Sequence, residues 1–156
     1  MKKTIKTEKV LAAHRIVSAA KYGKLADEDK IRVWKIARAL KPIATQFEDD
    51  SKDAADKMKP TEDFADRLQK AQEYEWKVKD PNLDASTLPM GAAEYHEFVK
   101  ELQRYNKLVN DSVKEFADKE VELEFEPLSE DAFGQLMASN EWTMEQTVEL
   151  GMLVVE

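Results

Sequence analysis

The chain has 156 residues, 42 % of them apolar and 36 % charged, with a net charge of −8 and no cysteine. That length allows one domain with a real core. The missing thiols exclude disulfides, thiolate metal sites and thiol catalysis, and four glycines and five prolines in so charged a chain favour long helices with solvated outer faces.

The lysine-rich start is interrupted by His14, Arg15 and Ser18 before any apolar core builds, so it does not read as a signal peptide. No apolar run reaches the roughly 20 residues of a membrane span. A cytoplasmic protein with no membrane role is the expectation. Charge is unevenly placed: residues 1–24 carry seven Lys/Arg and one Glu, whereas residues 118–156 carry one Lys and eleven Asp/Glu. Solvated faces that happen to differ in sign are the simpler reading, and contact between the two ends, within the fold or between copies, is the alternative.

Lys9 to Tyr22 reads as a first helix, with Val10, Ala13, Val17 and Ala20 on one stripe. Thr7 is placed to cap it and Gly23 to end it. Asp27, Glu28 and Asp29 then put negative charge at the start of the next helix. That helix, Asp27 to Met58, organises the chain. Val33, Ala37, Leu40, Ala44, Phe47, Ala54 and Met58 recur at steps of four and three, with polar Ser51 in the one remaining slot. Trp34, Ile36 and Ile43 widen the seam into a core face. Pro42 lacks an amide hydrogen and predicts a kink inside the helix, because the apolar spacing stays in phase across it.

Lys59-Pro60-Thr61 marks a break, and Thr61 is placed to cap a third helix from Glu62 to about Val78. Phe64, Leu68, Ala71 and Val78 form its stripe; Tyr74 and Trp76 lie off it. Residues 80–91 read as a loop, with Thr87 to Met90 as a short extended candidate. A second long helix, Ala92 to Ala117, repeats the seam with Tyr95, Phe98, Leu102, Tyr105, Val109, Ser112 and Phe116. Val99, Leu108 and Val113 broaden it. The two seams predict a long antiparallel helical hairpin packed lengthwise.

Glu120 to Glu126 switches to alternation: Val121, Leu123 and Phe125 between Glu120, Glu122, Glu124 and Glu126. This is a one-faced strand with its glutamates outward. It needs a partner, and Thr4–Lys6, Thr87–Met90 or the same strand of another copy are the candidates. Facing glutamates would repel an identical strand, which favours an internal partner. In the tail, Ser129 caps a helix from Glu130 to about Ser139, closed by Asn140. Thr143 and Gln146 form a capping box for a helix from Met144 to about Val154. The tail is rich enough in apolar residues to dock. The fold class is therefore mainly α: a single helical domain over 1–156 with a short strand element, two short C-terminal helices and a projecting tip around 48–91.

No chemistry-bearing motif stands out. His14 and His96 are preceded at the third position by Leu11 and Ala93, so the Glu-x-x-His pair of carboxylate-bridged metal bundles is not met. His96-Glu97 is followed by Phe98, Val99 and Lys100, which departs from the zinc-protease pattern. Gly23, Gly91, Gly134 and Gly151 are too scattered for a phosphate cradle. The helix–turn–helix spacing of the tail carries acidic residues and no Lys or Arg, which opposes phosphate contact. The expectation is no catalytic residue, no metal, no cofactor, no small-molecule ligand and no nucleic acid. Exposed aromatics are enriched at protein interfaces, so Tyr74 with Trp76 is the first candidate for partner contact. Glu120, Glu122, Glu124 and Glu126 are the second, as phosphate surrogates if the chain is an acidic mimic that inhibits a nucleic-acid-binding protein.

The lysine-rich start, the Lys21-Tyr22-Gly23-Lys24 turn, the long charged hairpin, the Glu-rich strand and the short terminal helices together resemble, in layout, small uncharacterised helical proteins of phage and prophage gene clusters. The resemblance covers most of the chain in outline. It implies a structural or chaperone-like partner role in assembly, and it carries over no functional residue. The sequence thus points to a non-enzymatic protein that binds another protein or itself, and an enzyme of some other class is the least favoured alternative.

Overall fold

The computed structural model describes residues 1–155. In chain order it holds β1 (Lys2–Lys6), α1 (Thr7–Ser18), α2 (Asp27–Lys57), α3 (Phe64–Lys77), α4 (Ala92–Asp118), β2 (Glu120–Glu124), α5 (Glu130–Ser139) and α6 (Met144–Leu150). Short 3₁₀ turns lie at Ala85–Thr87 and Gly151–Leu153. The fold is mainly α, and no helix among the described residues is long and apolar enough to cross a membrane.

The strand at Glu120 finds its partner at the other end of the chain. β1 and β2 pair antiparallel with Lys2 opposite Glu124, Thr4 opposite Glu122 and Lys6 opposite Glu120. Ile5 and Val121 face each other on the inner side, as do Lys3 and Leu123. The ladder runs past both strand ends: Phe125 and Met1 exchange backbone bonds of 2.9 Å, and the Thr7 amide and hydroxyl both donate to the Lys119 carbonyl, at 2.9 and 2.8 Å. Thr7 therefore anchors α1 to the sheet rather than capping it. Thr7 is already the first residue of the helix, one place past the cap position at Lys6, and no side chain caps the first turn.

Two compact units emerge, 1–50 with 114–156, and 51–113. The core of the first is built from Val10 and Ala13 of α1, Val33, Ile36 and Leu40 of α2, Leu123 and Phe125 at β2, and Leu128, Ala132, Leu136, Leu150 and Leu153 of the tail. The tail docks as its composition requires. A parallel bridge joins Leu128 to Val154, and Asn140 closes α5 by bonding both Leu136 and Lys21. Ser129 accepts from the Ala132 amide, and Thr143 and Gln146 form the complete reciprocal box. The last helix is shorter than expected, since the chain tightens into a 3₁₀ turn at Gly151.

The second unit gathers Phe64, Ala71 and Tyr74 of α3 with Met90 and Phe98, flanked by Leu68, Leu88, Tyr95, Leu102 and Tyr105. Phe64 lies 4.7 Å from Tyr105 and 5.4 Å from Phe98, ring centre to ring centre. The Tyr105 hydroxyl donates to the Ala55 carbonyl at 2.8 Å, satisfying one of the last carbonyls of α2. Arg67 forks onto Glu101, its closer contact 2.6 Å, and that hydrogen bond holds the guanidinium pKa above its ordinary value.

Several local expectations need correction. The two long seams do not share one core: Val33, Ile36 and Leu40 of α2 join the first cluster and Phe98 of α4 the second, while Tyr105 to Ala55 and Ser112 to Met58 still tie the two stretches together within the second unit. The 48–91 tip likewise falls short of the second unit, because Phe98, Leu102 and Tyr105 complete its core. α1 ends at Ser18, well before Gly23, and no glycine adopts positive φ. Thr61 does not cap α3; its hydroxyl donates to Asp63 at 2.5 Å. Thr87 to Met90 is not a strand, and Leu108 and Val78 face outward. By contrast, α2 is one helix through Pro42, as the in-phase apolar spacing requires.

Candidate functional site

The two candidate contact sets fare differently. Trp76, near the end of α3, is 75 % exposed. Tyr74 is not beside it on the surface: it is buried and stacked on Tyr95 at 4.4 Å, so it belongs to the second core. A 3.6-residue period explains this, since two helical neighbours spaced by two point to nearly opposite sides. The partner patch of Tyr74 with Trp76 is thus reduced to Trp76.

Glu120, Glu122, Glu124 and Glu126 all lie outward, as the alternation predicts. They are not a bare anionic row. The register sets lysines opposite two of them, Lys2 reaches Glu122 at 3.1 Å, and Glu126 accepts from Arg32 at 3.1 Å. Arg32 also contacts Asp29 at 3.0 Å and Glu28 at 3.2 Å. The bond to Glu126 is the main reason its pKa lies above the ordinary value, against the opposing effect of desolvation. These cations dilute the field that phosphate mimicry needs. The unlike charges of the two chain ends meet instead within the fold, through Lys2–Glu122, Lys9–Glu149 and Lys6–Asp118.

The first unit offers a half-open groove of about 280 Å³. Ile43, Phe47, Phe116 and Val121 make its apolar wall, and Gln46, Asp50 and Lys119 its polar rim. Gln46 donates to Asp50 at 2.9 Å, which fixes that side of the rim. Among the described residues no group of His, Asp and Glu is arranged to hold a metal ion.

The outer face of α2 holds the feature that sequence reasoning missed. Trp34 was expected in the core, but it is 56 % exposed, and Ile31 one turn earlier is 55 % exposed. The Arg38 guanidinium sits 5.2 Å above the Trp34 ring. Asp27, Ile31, Trp34, Arg38 and Lys41 follow one another at steps of four and three, all exposed. At about 100° per residue this stripe lies opposite the buried Val33, Ile36, Leu40 and Ala44. α2 therefore carries two stripes, one turned to the core and one turned to solvent. The signal was legible as a second three/four series, but it was masked because Trp34 and Ile36 were grouped as one widened face.

Comparison with models of protein families, with curated proteins and with solved structures returned no match.

Proposed function

We propose that the chain is a non-enzymatic protein–protein interaction or assembly protein and that it binds through the outer stripe of α2. One observation carries this: Ile31 and Trp34 stand in solvent on a helix anchored over several turns by the first core. A rigid helix presenting two large apolar side chains loses little conformational entropy on docking, and Trp is the residue most often found at the energetic centre of an interface. Charged residues at both ends of the stripe would set its orientation on a partner. The layout resemblance to phage and prophage proteins fits an assembly role in the same direction.

Light scattering on the purified full chain, together with capture from a lysate of its source cells, tests the reading. Trp34→Glu leaves the buried stripe untouched and should abolish whatever association the parent chain shows. A parent chain that is strictly monomeric and retains no protein would contradict it.

A further inference from the structure

We infer that the partner of this stripe is a second copy of the chain, docked helix to helix and antiparallel about a two-fold axis that passes between Ile31 and Trp34. The inference rests on the reading of α2 as an interaction surface and adds the identity and register of the occupant.

The argument is charge complementarity. Along the stripe the order is Asp27, Ile31, Trp34, Arg38, Lys41: acid, apolar, apolar, base, base, and with the axis between Ile31 and Trp34 Lys41 falls past the start of the second copy's helix. An antiparallel helix pair matches each residue of the seam with one of the other seam position on its partner. Setting Ile31 opposite Trp34 of the second copy also sets Asp27 opposite Arg38. The two-fold repeats both layers, so two apolar layers lie at the centre and one ion pair closes each end. The flanking positions agree, because Glu28 then lies beside Lys35 of the other copy. In a parallel pairing, by contrast, each charge would meet its own kind. Asp27 is almost fully solvated in the single chain, where its ion pair to Lys30 is a loose 3.6 Å. Arg38 is already held at the seam by the Trp34 ring. Two apolar layers are few, which places the contact among small, reversible interfaces.

Sedimentation equilibrium on the full chain, over a wide concentration range at low and high salt, reads the association directly. The unmodified chain should form a dimer that weakens with salt. Asp27→Arg and Arg38→Glu should each weaken it by about tenfold, since each reversal acts twice per dimer. The double variant should recover the parent affinity, and an equimolar mixture of the two single variants should form heterodimers, because both of its charge layers are again unlike. All substituted side chains are exposed, and circular dichroism verifies that the helices persist. A chain that stays monomeric at low salt, or single variants that dimerise as well as the parent, would overturn the inference. If the chain is monomeric but Trp34→Glu still strips a different protein captured from lysate, the self-pairing falls while the interaction reading stands.

Discussion

Ser51 occupies the polar slot in the seam of α2, and its hydroxyl is buried with no hydrogen-bond partner. Desolvating an unpaired hydroxyl costs about 1–3 kcal/mol. Ser51→Ala removes the cost and suits a helix interior better, so it should stabilise the protein by about 1 kcal/mol in urea unfolding. A lowered midpoint would mean that the hydroxyl contributes to the native state. Tyr95 shows a pH effect of definite sign. Its phenol donates to Glu75, and that bond, with burial second, raises its pKa above the ordinary value. The folded phenol therefore keeps its proton where the unfolded one, near about 10, has lost it. The associated stability is complete below that pH and declines as pH rises through the folded value. Tyr95→Phe should flatten this alkaline decline, measured by unfolding between about pH 8 and pH 11; an unchanged slope would exclude the phenol as its source. Single positions were the least legible in the sequence. The spacing that places Leu40 and Ile36 inside coexists with a second series through Ile31, Trp34 and Arg38, and a tryptophan two residues from Ile36 is easily assigned to the wrong one.

Elements were far more legible, and the reason is local chemistry. Ser129, Thr143 and Gln146 act within one turn of their own position, so their roles follow from the sequence alone. Thr143→Ala should cost about 0.5–2 kcal/mol and should fray α6 first, seen as faster amide exchange at Thr147 and its neighbours. A loss spread evenly over the chain would argue against a local cap. Strand β2 is readable because Val121, Leu123 and Phe125 alternate with glutamates, but repulsion between glutamates favours only an internal partner, and the choice of β1 over Thr87–Met90 comes from the structure. Thr7 and Thr61 misled for one reason: a threonine near the start of a helix is equally able to donate elsewhere, and in this fold both hydroxyls do so.

For the whole molecule, two cores replace the single seam that the periodicity implied. Periodicity tells which face of a helix is buried, but not whether successive turns bury against the same neighbours. α2 and α4 each run through both units, yet Val33, Ile36 and Leu40 of α2 enter only the first core and Phe98 of α4 only the second, and no signal along either helix marks the change. Phe98→Ala should cost about 3–5 kcal/mol. It should accelerate amide exchange over 64–77 and 92–105 more than over α1, β1 and α5. Uniform acceleration would show that the two cores open together.

The claim that governs function is the antiparallel pairing of α2 outer faces. The absence of cysteine allows a single nitroxide label at the exposed Thr45, by Thr45→Cys, on an otherwise unlabelled chain. Pulsed electron–electron resonance then measures the label-to-label distance in the dimer. With the axis between Ile31 and Trp34 and a rise of about 1.5 Å per residue, the two labels should lie roughly 40 Å apart. A distance of about 10–20 Å would mean parallel helices, and the lack of any dipolar signal at concentrations that saturate association would mean that copies do not meet through this face.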